Sequence, residues 1–362
     1  MELSKKRRFA LAESFPWIES PLISSAPMSG FATNDLAIAV TQAGGLGQIG
    51  FTGSPMRMQS ELEKAKQKLQ ATPVCDEACK VLPVGVGIIA LGGSTTPWIQ
   101  TLAEYKPAMV WLSFGTCDEF KSWTDDIRSV SPDTKTWIQV GSVSAALGAA
   151  ATCAPDALVL QGSDAGGHGH KHGASIVTLI PEAMDALHRQ GFSDIPVVAA
   201  GGIMDGRGAA AAIALGASGV VMGTRFLACS EIEIESEVAD ECLTASDGGE
   251  ATVRSRVFDD IWGQNVWPEM YDGRCLRNAI YDDVEEEGMS LQEAREHLIR
   301  RSRNETSSGM RNICAIWAGT GVGMLKEREK AADIDLRYQS VAEFFHMLVQ
   351  ANTANFSHVE TT

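Results

Sequence analysis

Along the chain short apolar runs recur eight times, and the stretches between them read as helical with one apolar face. The apolar runs fall at 21–29, 46–51, 81–89, 108–114, 136–140, 157–161, 195–200 and 219–222. They read as unbroken segments such as Val197-Val198-Ala199-Ala200 and Val220-Val221-Met222, without polar positions in between. Strands of that kind are buried on both faces, as in a parallel sheet covered by helices. The helices between them are predicted near 36–43, 55–70, 97–105, 118–130, 144–153, 177–190 and 208–215. Asn34 is the expected N-cap of the first, and Gly44-Gly45 its stop. Eight such units predict an α/β fold, a (β/α)8 TIM barrel. An open doubly wound sheet is the competing arrangement, and it leaves two edge strands to protect.

The chain is 362 residues long and 44% hydrophobic, whereas a barrel of this type needs roughly 200–250 residues. After Glu231 the alternation is lost. The expected division is therefore a barrel over 1–230 and a mainly helical region over 231–362 that covers the active-site end of the barrel. Helices are predicted there at 291–303 and 341–350, with an aromatic segment at 262–271.

A net charge of -16 disfavours nucleic acid as a partner. The basic cluster Lys5-Lys6-Arg7-Arg8 reads as a solvated terminus. It is followed by Ala10-Leu11-Ala12-Glu13, not by an apolar stretch, so no secretory signal is expected. No apolar run approaches the roughly 20 residues of a membrane span, and the expected location is cytoplasmic. Eight scattered cysteines fit reduced, mostly buried thiols. Cys75 and Cys79, with no second pair downstream, make a weak zinc signal.

Active sites of such barrels lie at the C-terminal ends of the strands. After the seventh and eighth runs stand Gly201-Gly202 and Gly223-Thr224. Paired glycines there let backbone amides approach an anion, at the two loops where barrels often hold phosphate; the plainer reading is turn glycines with positive φ. After the sixth run comes Gly166-Gly167-His168. It suits a backbone passing close under a planar cofactor and an imidazole presented for proton abstraction. His168, His170 and His172 at spacing two also invite a metal reading, since alternate residues of an extended segment share a face. The surrounding glycines and Lys171 argue for a flexible loop instead, so no metal is expected, and solvated loop histidines remain the alternative, the favoured one for His170 and His172.

At these residues the chain resembles the nitronate monooxygenases, formerly called 2-nitropropane dioxygenases. The matching segments are Ala26-Pro27-Met28-Ser29-Gly30, LAIAVTQAGGLG from Leu36, ALVLQGSDAGGH from Ala157, PVVAAGGIMDG from Pro196 and GVVMGTRF from Gly219. Weaker likeness runs through Asp272-Gly273-Arg274 and Trp317-Ala318-Gly319-Thr320-Gly321. The resemblance implies FMN, with its phosphate on Gly201, Gly202, Gly223 and Thr224. It implies Ala26, Met28 and Gln139 bordering the isoalloxazine, Ala165, Gly166 and Gly167 against it, and His168 as the catalytic base. Members often carry Asn in a Gly-Val-Asn pattern after the third strand; here Gly85-Val86-Gly87 puts Gly87 in that place.

The expected activity is FMN-dependent oxidation of alkyl nitronates, and of nitroalkanes after His168 removes the α-proton, by O2 to a carbonyl compound and nitrite. The partners are then a small nitro compound and O2, and a homo-oligomer is compatible with the sequence. The alternative is an NAD(P)H-dependent FMN reductase of quinones or enoyl thioesters. Further off stand a flavin-binding protein without activity and a phosphate-binding barrel without flavin.

Overall fold

A computed structural model describes residues 11, 14–76, 79–304, 312 and 314–334. Eight parallel strands form one sheet: β1 Leu22–Ser25, β2 Gln48–Ile49, β3 Leu82–Ile89, β4 Pro107–Ser113, β5 Lys135–Val140, β6 Ala157–Gln161, β8 Val197–Ala200 and β9 Gly219–Met222. Their order is β1-β9-β8-β6-β5-β4-β3-β2. A parallel bridge from Ser24 to Leu46 brings the two ends together and closes the barrel. Only two residues make up β2, and polar side chains reinforce this seam. Gln48 Nε2 donates to Ser24 Oγ and to the Ser25 carbonyl, both at 2.9 Å, and Ser24 Oγ donates to the Leu46 carbonyl at 2.6 Å.

The unbroken apolar runs are explained by two cores, one on each face of the strands. Met109, Trp111, Trp137, Val159, Val198 and Val221 point into the barrel, which Leu11, Phe15 and Trp17 close. Their neighbours Val110, Leu112, Ile138, Leu158, Leu160, Val197 and Val220 point out against the helices. Helix Pro55–Ala71 answers with Met58, Leu62, Ala65 and Leu69 on one stripe. Helix Cys117–Val130 starts in a capping box, Thr116 with Glu119. Asn34 departs from its predicted role. Thr33 holds the N-cap position, while Asn34 donates its backbone N–H and its Nδ2 to Glu61 Oε2, at 2.9 and 2.7 Å. A carboxylate from the next helix outcompetes the local cap.

Two further corrections concern the barrel mouth. The Gly-His-Gly-His segment is a strand, β7 Gly167–His170, and not a flexible loop. Residues beyond 231 are less helical than predicted: β10 Thr252–Ser255 and β11 Tyr271–Leu276 join β7 in an antiparallel sheet, order β10-β11-β7, with Gly273 opposite His168. The pairing partner lies about a hundred residues away, so local propensity carries no sign of it. Helix Leu291–Asn304 puts Ala294 and Leu298 into one core with Cys275 of this sheet, while helix Ser236–Thr244 packs against the segments Thr224–Ala228 and Thr320–Met324. The helix predicted at 341–350 lies outside the described residues. No helix among the described residues is long and apolar enough to cross a membrane. All eight cysteines are free thiols; Cys153, Cys229, Cys242 and Cys275 are buried and the other four half-buried.

Candidate active site

The C-terminal ends of the strands open into a cavity of about 480 Å³, within the range of small-molecule and cofactor sites. The residues expected from the sequence to hold a cofactor or to act as base all line it. Ala26 and Met28 come from the turn after β1, Gln139 from β5, Ala165 and Gly166 from the bend between β6 and β7, and Gly167 from the first position of β7. Gly201 and Gly202 follow β8, Gly223 and Thr224 follow β9, and His168 lies on β7. His170 and His172 part company with His168. His170 packs its ring edge-on against Tyr271, 5.4 Å between centroids, and His172 is exposed. Burial, then the charge of Arg254, lowers the His170 pKa from its ordinary value. Among the described residues no group of three or more His, Cys, Asp or Glu is placed to hold a metal ion.

The two glycine turns sit side by side because β8 and β9 pair, Ala200 opposite Val221. Gly201 has φ +106 and Gly202 +73, and a Cβ on Gly201 would stand 2.9 Å from the Gly162 carbonyl oxygen. These positions therefore require glycine. The helix behind them, Gly206–Ala214, offers less than its sequence promised. The Asp205 carboxylate already accepts from the Arg207 and Gly208 amides, at 2.9 and 3.2 Å. An anion placed here would meet the glycine turns themselves and the Thr224 hydroxyl, which accepts from Gly319 N–H at 2.9 Å and keeps its own proton to donate.

Across the cavity the amides form a relay. Trp111 Nε1 donates to Gln139 Oε1 at 3.1 Å, Gln139 Nε2 to Gln161 Oε1 at 3.0 Å, and Gln161 Nε2 to the His168 carbonyl at 3.1 Å. Three barrel strands thus fix the backbone of His168. From the other side Arg254 and Arg274 both donate to the Ser163 carbonyl, at 3.4 and 3.2 Å, while Arg254 pairs with Asp272.

The imidazole itself is enclosed by residues that sequence reasoning left unassigned. Trp267 stacks on it at 4.1 Å and 19°, Trp317 leans over it at 4.7 Å and 46°, and Phe114 meets it edge-on at 6.4 Å. His168 Nε2 lies 3.0 Å from each oxygen of Asp259. Close packing makes this possible. A Cβ on Gly273 would stand 2.3 Å from the Trp317 ring, and one on Gly166 would stand 2.5 Å from Ala318 and Gly319 backbone atoms. Gly87 is explained in the same way, since a Cβ there would stand 2.6 Å from Pro27 Cβ. Pro27 fills the space next to it.

The chain matches the family profile described as nitronate monooxygenase over residues 14–334. It is 42% identical to the nitronate monooxygenase npaC of Metarhizium robertsii, covering 90% of this chain and 92% of that one. It is 36% identical to the nitronate monooxygenase of Neurospora crassa, covering 88% of each. Among solved structures, FabK from Thermotoga maritima superposes with a TM-score of 0.72 at 27% identity, covering 94% of this chain and 98% of that one. The nitroalkane oxidase of Streptomyces ansochromogenes gives 0.70 at 23% over 94% and 99%, a likeness of fold. A barrel with this mouth, matched by one family from end to end of its described body, is a member of the nitronate monooxygenase family of oxidoreductases.

Proposed function

We propose that the protein binds FMN in this cavity and oxidises alkyl nitronates with O2, giving a carbonyl compound and nitrite, and that His168 converts nitroalkanes to nitronates by removing the α-proton. The observation that carries the reading is the convergence on one cavity of His168 and two glycine turns suited to an anion. The fit to FMN rests on shape and donor chemistry. Gly201, Gly202, Gly223 and Thr224 offer amides and a hydroxyl for a phosphate, and Gly166 and Gly167 leave a side-chain-free floor for a flat ring. FMN, when bound, supplies the transfer of electrons from the nitronate to O2.

The chain's own residues bind, orient and exclude water. Phe51, Ile88, Ile89, Phe114, Trp267 and Trp317 line the same cavity as His168. Among the described lining residues His168 is the one ionisable side chain. An uncharged alkyl or aryl-alkyl group fits such walls; a carboxylate there has no cation to meet. His168 suits the task of general base, because a neutral imidazole keeps one ring nitrogen free to accept a proton.

The test is His168→Asn. The variant should remain yellow and turn over a supplied nitronate, while nitroalkane turnover falls by a further factor of about 10²–10⁴. Equal loss on both substrates would remove His168 from the role of base.

A further inference from the structure

The base that acts on the barrel side is oriented from the other region of the molecule. Asp259 stands 91 positions after His168, yet it presents both carboxylate oxygens to Nε2 at 3.0 Å. Both side chains are largely shielded from solvent, His168 being 14% and Asp259 17% exposed. A carboxylate only accepts hydrogen bonds, so Nε2 carries the proton and Nδ1 is left as the acceptor of the neutral ring. Trp267 and Trp317 restrain the plane of that ring.

We propose that Asp259 is the positioning residue of the base: it holds His168 in the Nε2–H tautomer and stabilises the imidazolium formed during proton abstraction. The inference rests on the reading of His168 as base. In the step concerned, the α-C–H bond of the nitroalkane breaks and the proton goes to Nδ1. The electron pair stays on the substrate and delocalises into the nitro group, giving the nitronate. The ring gains a positive charge, and its Nε2–H bond to Asp259 becomes a charge-assisted pair. An interaction that strengthens as charge develops accelerates the step, whereas one of constant strength does not.

Local construction supports the assignment. Asp259 lies on the turn Val257–Asp260, where Val257 and Phe258 are buried with Ile261, Ile280, Ala294 and Leu298 in a core of their own. Ser255 Oγ accepts from Val257 N–H at 3.0 Å and pins the start of the turn. Next to it, Arg256 donates to the carbonyls of Trp267, Pro268 and Tyr271, at 3.0, 2.9 and 2.8 Å. One turn therefore fixes both the carboxylate under the imidazole and the tryptophan stacked on it. A plain structural clamp between the two regions would need the contact but not its effect on chemistry, and that difference can be measured.

Asp259→Asn, Asp259→Glu and His168→Asn, all loaded with FMN, are assayed in parallel with nitroethane and with ethyl nitronate. In Asp259→Asn, nitroethane kcat should fall about 10²-fold more than ethyl nitronate kcat. Its primary deuterium isotope effect should rise, KM should stay near that of the parent, and Asp259→Glu should recover part of the loss. Independently of activity, ¹⁵N NMR of histidine-labelled protein, with His168 assigned by its absence in His168→Asn, should show the Nε2–H tautomer in the parent and its loss in Asp259→Asn. Equal losses on the two substrates, no loss, or a different tautomer in the parent would overturn the proposal, and the parent spectrum decides even if Asp259→Asn does not fold. Failure of the underlying reading looks different: His168→Asn itself would then lose both activities together, and the role of Asp259 would fall with it.

Discussion

The barrel and the region after residue 231 are built by opposite means. In the barrel most strands pair with the next barrel strand in the chain, from β2 with β3 to β8 with β9, and each helix covers the strands it joins. Beyond 231 the contacts that matter reach far back: Asp259 to His168, Arg274 to Ser163 across 111 positions, and Thr320 to Asp164 across 156. The first mode makes a cradle of glycine turns at fixed places on a repeating scaffold. The second lays walls, a carboxylate and two tryptophans over that cradle. On the function proposed above, the cradle would hold the phosphate and the flat ring, and the overlay would decide what reacts there.

That division can be broken by substitutions that strike one side only. Of the glycine substitutions, the larger effect is expected from Gly201→Val, a β-branched residue at φ +106 with its Cβ against the Gly162 carbonyl. Strain of about 1–3 kcal/mol should weaken FMN binding by roughly tenfold or more, read by fluorescence titration, and the protein should purify pale. Next comes Gly273→Val, whose side chain would drive Trp317 from its place. FMN affinity should hold while nitroalkane turnover drops about tenfold or more, since small misplacements of a catalytic group are expensive. If Gly273→Val loses the flavin and Gly201→Val keeps it, the assignment of cradle and overlay is reversed.

A smaller effect sharpens the overlay's part in selection. A neutral nitroalkane should exceed a carboxylated one of similar length by about tenfold in kcat/KM, because the described walls offer no cation. Preference for the acid would show that charge recognition comes from elsewhere in the chain. The smallest effect is on stability against pH. Burial and Arg254 lower the His170 pKa below its ordinary 6.5, so the unfolded chain binds that proton more readily than the folded one. Stability is then full above 6.5 and declines as pH falls from there toward the lowered value. Melting between pH 7.5 and 5.5 should fall less in His170→Gln than in the parent, by about a degree; equal slopes would remove His170 from the account.

The same comparison explains what could be read from the sequence. Barrel strands, the glycine turns and His168 were legible because each is announced within a few residues: Val-Val-Ala-Ala before Gly-Gly, or Gly-Gly before His. Strand β7 was not, since Gly-His-Gly-His has no strand propensity and is extended only because β11 pairs with it. Asp259 was invisible for a related reason. Phe258-Asp259-Asp260 is an ordinary stretch, and nothing local distinguishes the carboxylate that meets His168 from the one that accepts from Asn265. Asn34 misled in the other direction, a good cap residue taken over by Glu61 from a neighbouring helix.

The central claim is that a flavin in this cavity takes electrons from a nitronate. It is tested most directly by the visible spectrum of the purified protein, followed under anaerobic conditions after addition of propyl nitronate and, separately, of NADH. The expected result is a yellow protein whose absorption bleaches with nitronate and stays unchanged with NADH. A protein bleached by NADH alone, or one that stays colourless after incubation with FMN, would contradict it.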